Sequence, residues 1–136
     1  MPAGGGVKCV VRVLLVEDDA TLAAIVLEAL AEDGHSATHV REPFEALRLA
    51  SIESWDAFVV DGFGPSHRQP DADYRAAVQC LAACGPVVVT TGRAWAAQAQ
   101  AAELGVHALL TKPYDLGELI GTLSSLPQRD GPPPAA

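Results

Sequence analysis

Residues 10–16 read Val-Val-Arg-Val-Leu-Leu-Val, β-branched and almost continuously apolar. A strand with one wet face alternates apolar and polar side chains. This run offers apolar groups to both faces, so it belongs at the centre of a sheet covered on each side. Such sheets are parallel and are covered by the helices of their own crossovers, and the chain supplies candidates. Residues 21–33 carry Leu22, Ile25, Val26, Ala29 and Leu30 at helical spacing, with Asp19 or Thr21 available to cap the start and Gly34 to end it.

The same alternation continues to residue 126. Residues 36–40 form a short alternating segment, and 42–52 form a weaker helix opened by Pro43. An apolar strand over 57–60 ends at Asp61, and the breaker-rich stretch 62–70 leads to a helix over about 71–83. A strand over 87–90, an alanine-rich helix over 94–104 closed by Gly105, a strand over 107–110 and a helix over 116–126 complete the pattern. Five strands alternating with five helices predict an α/β, three-layer doubly wound (βα)5 sandwich with a five-stranded parallel sheet. Residues 1–7 read as a flexible N-terminus, 8–126 as one domain, and the proline-rich 127–136 as a flexible tail or linker stub.

The chain has 136 residues, enough for one buried core without staples, and 49% of them are hydrophobic. Its formal charge of −8, with nine Lys and Arg in all, argues against a direct nucleic-acid surface. No apolar stretch approaches the roughly 20 residues that span a bilayer, and the N-terminus has no signal pattern, so the default location is cytoplasmic. The three cysteines, Cys9, Cys80 and Cys84, match no paired metal spacing, and Cys80 and Cys84, four apart on a helix, read as small buried apolar residues in preference to a redox pair. His35, His39, His67 and His107 likewise lack ligand spacing, and only His67 lies in a loop bordering Asp61.

Chemistry gathers where the strands end. Glu17, Asp18 and Asp19 follow the first strand, Asp61 follows the third, Thr90 and Thr91 end the fourth, and Lys112 follows the fifth. In an open parallel sheet these carboxyl ends border one crevice. Clustered carboxylates repel one another, and a hard divalent cation such as Mg²⁺ or Mn²⁺ removes that penalty by binding their oxygens. An Asp carboxylate is also a competent phosphoryl nucleophile once charge is neutralised.

Val-Glu-Asp-Asp at 16–19, Asp61 with Pro65 four residues on, Thr91-Gly92 and Lys112-Pro113 together resemble the receiver domain of two-component response regulators. The resemblance covers about residues 8–126. It implies a flavodoxin-like sheet order 2-1-3-4-5, with Asp61 as phosphoacceptor and Mg²⁺ or Mn²⁺ held by Asp18, Asp61 and Glu17, the last directly or through water. The Phe63 carbonyl would complete the metal shell, Thr91 would bond the phosphoryl oxygen, with Thr90 a competitor for that role, and Lys112 would form its ion pair. Asp19 fits a helix cap better than a metal ligand. The implied partners are a histidine kinase or histidine phosphotransfer protein, a downstream protein target or output domain, and a phosphorylation-dependent second copy. Such a domain is a phosphoacceptor and not a conventional enzyme.

Two departures stand out. Leu109 occupies the position, three before Lys112, where the family commonly has a Tyr or Phe that rotates with the switch hydroxyl. Gly64 replaces the common Met before Pro65, giving a looser loop. These leave an alternative, a receiver-like interaction module that no longer switches on phosphorylation. A dehalogenase-type phosphatase is excluded because it needs an acid two residues after the nucleophile, where Phe63 stands.

Overall fold

The computed structural model describes residues 11–61, 72–91, 101, 105–111 and 115–126. Strands β1 (Arg12–Val16), β2 (Ser36–Val40), β3 (Ala57–Asp61), β4 (Val87–Thr91) and β5 (Ala108–Thr111) form one parallel sheet of order β2-β1-β3-β4-β5. The order is the one the resemblance implied. Four helices cover it among the described residues: α1 (Ala20–Glu32), α2 (Pro43–Ala50), α3 (Ala72–Cys84) and α4 (Leu116–Ser124). The helix expected over 94–104 lies outside the described residues except for Ala101.

Side-chain alternation divides the core into two layers. Val13 and Leu15 of β1, Ala57 and Val59 of β3, and Val88 of β4 pack against Ala23, Val26 and Leu30 of α1 and Leu119 and Leu123 of α4. Leu14, Val16, Phe58, Val60, Val87 and Val89 face the other way, onto Ala46 of α2 and Val78 and Leu81 of α3. β1 and β3 are therefore buried on both faces, as their unbroken apolar runs require. Edge strand β2 is wetter, with Ser36 and Thr38 exposed and only Val40 fully buried.

The helix ends follow local chemistry. The Asp19 carboxylate accepts from the backbone N–H of Thr21 and Leu22 at 2.9 and 3.1 Å, which settles the cap of α1 on Asp19. Gly34, at φ 87°, makes the left-handed exit that a side chain would strain. Asp115 and Glu118 form a reciprocal capping box on α4. Below the sheet, Arg12 joins β1 to the segment entering β3. Its backbone N–H donates to Asp56 Oδ2 at 2.8 Å, and its guanidinium donates to the Ser54 carbonyl and to Glu53 while lying 4.1 Å from the centre of the buried Trp55 ring.

One expectation fails here. Cys80 and Cys84 are exposed, not buried. The inward stripe of α3 is Ala77, Val78 and Leu81, and a helix turns about 100° per residue, so Cys80 is carried away from Leu81 toward solvent. Cys84 sits at the last turn, on the rim of a groove with Gly105 and His107. Cys9 lies outside the described residues.

Among the described residues Phe58 is the largest side chain under 2% exposed, and Gly85 passes so close that an added Cβ would stand 3.3 Å from its ring. Phe58→Ala should lower unfolding free energy by about 3–5 kcal/mol in urea denaturation. Asp115→Ala, which removes only a cap, should cost about 1 kcal/mol in the same measurement.

Candidate functional site

The register of the sheet brings the polar strand ends level. Val16 pairs with Val60, so Glu17 and Asp61 leave neighbouring strands side by side, while Asp61 pairs with Thr90 and Thr91 pairs with Thr111. Alternation gives Glu17 and Asp61 the same face, that of Leu15 and Val59 and hence of α1 and α4. Glu17 is buried at 3% exposure, Asp61 is half-buried and Asp18 faces water. Carboxylate oxygens of the three lie within 4.8 Å of one another.

That spacing suits a hard divalent cation. Octahedral coordination at about 2.0–2.1 Å puts ligand oxygens roughly 3.0 Å apart when adjacent and about 4.2 Å apart when opposite, so the cluster needs only a small contraction or one bridging water. The exposure of Asp18 leaves room for water or phosphate oxygens at the remaining positions. A groove of about 460 Å³ between residues 82–87 and 105–107 lies at the opposite, amino-terminal ends of β4 and β5 and holds none of these acids.

Of the other expected site residues, Thr91 is buried at the end of β4 and shares its face with Val87, Val89 and Leu109. Thr90, also buried, turns toward the face of Asp61. Phe63 and Lys112 lie outside the described residues, as do Pro65, His67 and Pro113. Leu109 is half-buried and packs against the core layer of α2 and α3.

The structure adds contacts that residue spacing did not signal. His39 Nε2 donates to the Glu17 carbonyl at 2.7 Å, the Arg41 guanidinium donates to the Asp18 carbonyl at 3.4 Å, and the Asp19 N–H donates to Glu17 Oε2 at 3.2 Å. Glu17 N–H continues the ladder to the Val40 carbonyl at 3.0 Å. At the far end of the sheet, His35 Nδ1 accepts from Val11 N–H at 3.1 Å and Nε2 donates to Asp33 at 2.8 Å, so this histidine is a buried structural joint. Neither histidine belongs to a metal-binding cluster among the described residues.

Three like charges so close repel. Removing one should stabilise the cation-free fold: Asp18→Asn should raise unfolding free energy in chelator by about 1 kcal/mol, the bulk-water end of the Coulomb range, because Asp18 is exposed. Urea denaturation in low salt checks this, and high salt should shrink the gain.

No protein-family model matches the chain. It is 32% identical over 125 residues to the transcriptional regulatory protein TcrA of Mycobacterium tuberculosis, an alignment covering 91% of this chain and 48% of that protein. The chain thus spans about half the length of the curated relatives it matches. Among solved structures it is similar to the receiver domain of a sensor histidine kinase from Pseudomonas aeruginosa PAO1, which has a magnesium ion coordinated in its active-site cleft. That match has a TM-score of 0.69 and 22% identity, over 87% of this chain and 98% of that one. It is also similar to a response regulator from Burkholderia pseudomallei with a phosphorylated aspartic acid, calcium ion and citrate, at TM-score 0.65 and 22% identity over 84% of this chain and 66% of that one. With its five parallel strands in the order 2-1-3-4-5 and its acids at their carboxyl ends, the chain has the receiver fold of two-component response regulators.

Proposed function

We propose that this domain accepts a phosphoryl group on Asp61 in a Mg²⁺-dependent reaction and thereby changes which proteins it binds. The observation that carries the reading is the convergence of Glu17, Asp18 and Asp61 within 4.8 Å at neighbouring strand ends. A bound divalent cation would offset the repulsion within such a cluster and leave coordination positions for phosphoryl oxygens.

In the proposed reaction an Asp61 carboxylate oxygen attacks phosphorus. The new O–P bond forms as the bond from phosphorus to the donor breaks, and the electron pair leaves with the donor, an imidazole nitrogen of a histidine kinase or phosphotransfer protein. Asp18, Asp61 and Glu17, the last directly or through water, would hold the cation, and the Phe63 carbonyl would be a further ligand. Mg²⁺, when bound, supplies charge neutralisation between the anionic nucleophile and the anionic donor. Lys112 adds a fixed positive charge, and Thr91 donates its hydroxyl to a phosphoryl oxygen. Asp19, committed to capping α1, stays outside this set.

The implied downstream partner is a target protein or an output domain, with a phosphorylation-dependent second copy as a further consequence. Among the described residues no helix is long and apolar enough to cross a membrane. We place the domain, spanning about residues 8–126, in the cytoplasm with its phosphoryl donor.

Acetyl phosphate with Mg²⁺ should add one phosphoryl group to the wild-type chain by intact-mass analysis. Asp61→Asn should add none, and chelator should abolish the addition. Equal uptake by wild type and Asp61→Asn would sink the assignment. Loss of the hydroxyl separates the two threonines: Thr91→Val should blunt the backbone amide shifts that beryllofluoride induces around β4 and β5, whereas Thr90→Val should leave them in place.

A further inference from the structure

The most exposed member of the acid cluster is Asp18, yet the peptide planes on both sides of it are held. The peptide plane joining Glu17 and Asp18 carries the Glu17 carbonyl, and that oxygen accepts from His39 Nε2 at 2.7 Å. The plane joining Asp18 and Asp19 carries the Asp18 carbonyl, which accepts from Arg41, and the Asp19 N–H, which donates to the Glu17 carboxylate. Because each peptide unit is rigid and planar, pinning the planes on both sides of Asp18 fixes the direction of its Cα–Cβ bond. A water-facing carboxylate thereby gains an aim that its own exposed side chain has no packing to supply.

Both outside donors come from the end of edge strand β2. His39 pairs in register with Leu15, and alternation puts it on the face of Ala37, the same face toward which Leu15 and its successor Glu17 turn. The half-buried ring makes the shorter bond. Arg41 is exposed and its contact is long at 3.4 Å, so most of the restraint falls on His39. The next ladder bond, from Glu17 N–H to the Val40 carbonyl, holds the same residue from its other side.

We propose that His39 is a positioning residue for the cation site, acting through the Glu17 carbonyl to hold Asp18 in its ligating direction. It touches neither the cation nor the phosphoryl group, and the proposal rests on the reading of Glu17, Asp18 and Asp61 as a Mg²⁺ site. What it requires of residue 39 is one N–H donor at the reach of Nε2. Glutamine has a donor at about that distance. Asparagine falls short and leucine has none.

The experiment is a Mg²⁺ titration of wild type, His39→Leu, His39→Asn and His39→Gln, followed by the Asp18 amide shift and by calorimetry, with no phosphoryl donor present. His39→Leu and His39→Asn should weaken Mg²⁺ by about 10-fold or more, the usual effect of removing an outer-shell partner, and His39→Gln should restore most of the affinity. Thermal unfolding in chelator should not follow the same order, since the two amide variants differ little in size and polarity. Wild-type affinity in His39→Asn, or equal weakening in the Asn and Gln variants, would overturn the positioning role. If wild type and Asp18→Asn bind Mg²⁺ alike, the cation site itself is wrong, and that outcome is separable from the first.

Discussion

The central strands of this sheet have no wet face. β1 and β3 are lined on one side by α1 and α4 and on the other by α2 and α3, so any polar side chain within them would need a partner in the interior. Polar chemistry is pushed to the ends. At the carboxyl edge the apolar runs stop: Asp18 reaches water and Asp61 is half-buried, while Glu17, Thr90 and Thr91 stay buried just inside it. The positions of Glu17, Asp61, Thr90 and Thr91 follow from this constraint and from the parallel register that makes neighbouring strands stop level.

The edge where the acids collect is also where the fold is least at ease electrostatically. Two carboxylates about 4 Å apart repel by about 1 kcal/mol in water and by more where water is partly excluded. Glu17, at 3% exposure, is the costliest of the three to keep charged, and donors reach it on two sides: the Asp19 N–H bonds its carboxylate and His39 Nε2 bonds its carbonyl. The capping of α1 by Asp19 contributes to the same economy, because it takes the third consecutive acid out of the cluster and turns it toward helix N–H groups whose dipoles favour a negative charge.

How far the sequence is legible depends on the range of the interaction being read. The strands over 57–61 and 87–91, the helices behind Asp19 and Asp115, and the turn at Gly34 are set by neighbours within a few residues, and apolar spacing reports them directly. The convergence of Glu17, Asp18 and Asp61 is long-range but still legible, because parallel topology converts the phrase "acid after strand" into a place. His39 against Glu17, His35 against Val11 and Arg12 over Trp55 are of another kind. Each joins residues more than twenty apart through one side-chain rotamer, and no periodicity encodes that. The burial expected of Cys80 fails for a related reason: apolar spacing does not give the phase of the helix, which Ala77, Val78 and Leu81 fix, while Cys84, nearly in phase with Ala77, is exposed where α3 ends.

In the proposed function the remaining physical question is how occupancy at Asp61 reaches the opposite face of the sheet. Asp61 belongs to the α1 and α4 face, while Thr91 and Leu109 turn toward the layer of α2 and α3. Thr91 is thus the residue at which the two faces meet: its backbone stands one position beyond the Asp61–Thr90 pair, and its side chain enters the other core. An aromatic at 109 could move as a ring with a polar tip, trading a solvent bond for a buried one. Leucine has only shape to offer. A hydroxyl drawn toward the phosphoryl group would vacate volume beside Leu109, and close-packed cores respond to lost volume by repacking between discrete arrangements, not by continuous deformation. On the proposed function, a signal at this position would therefore be steric, its size bounded by how much space one threonine hydroxyl releases.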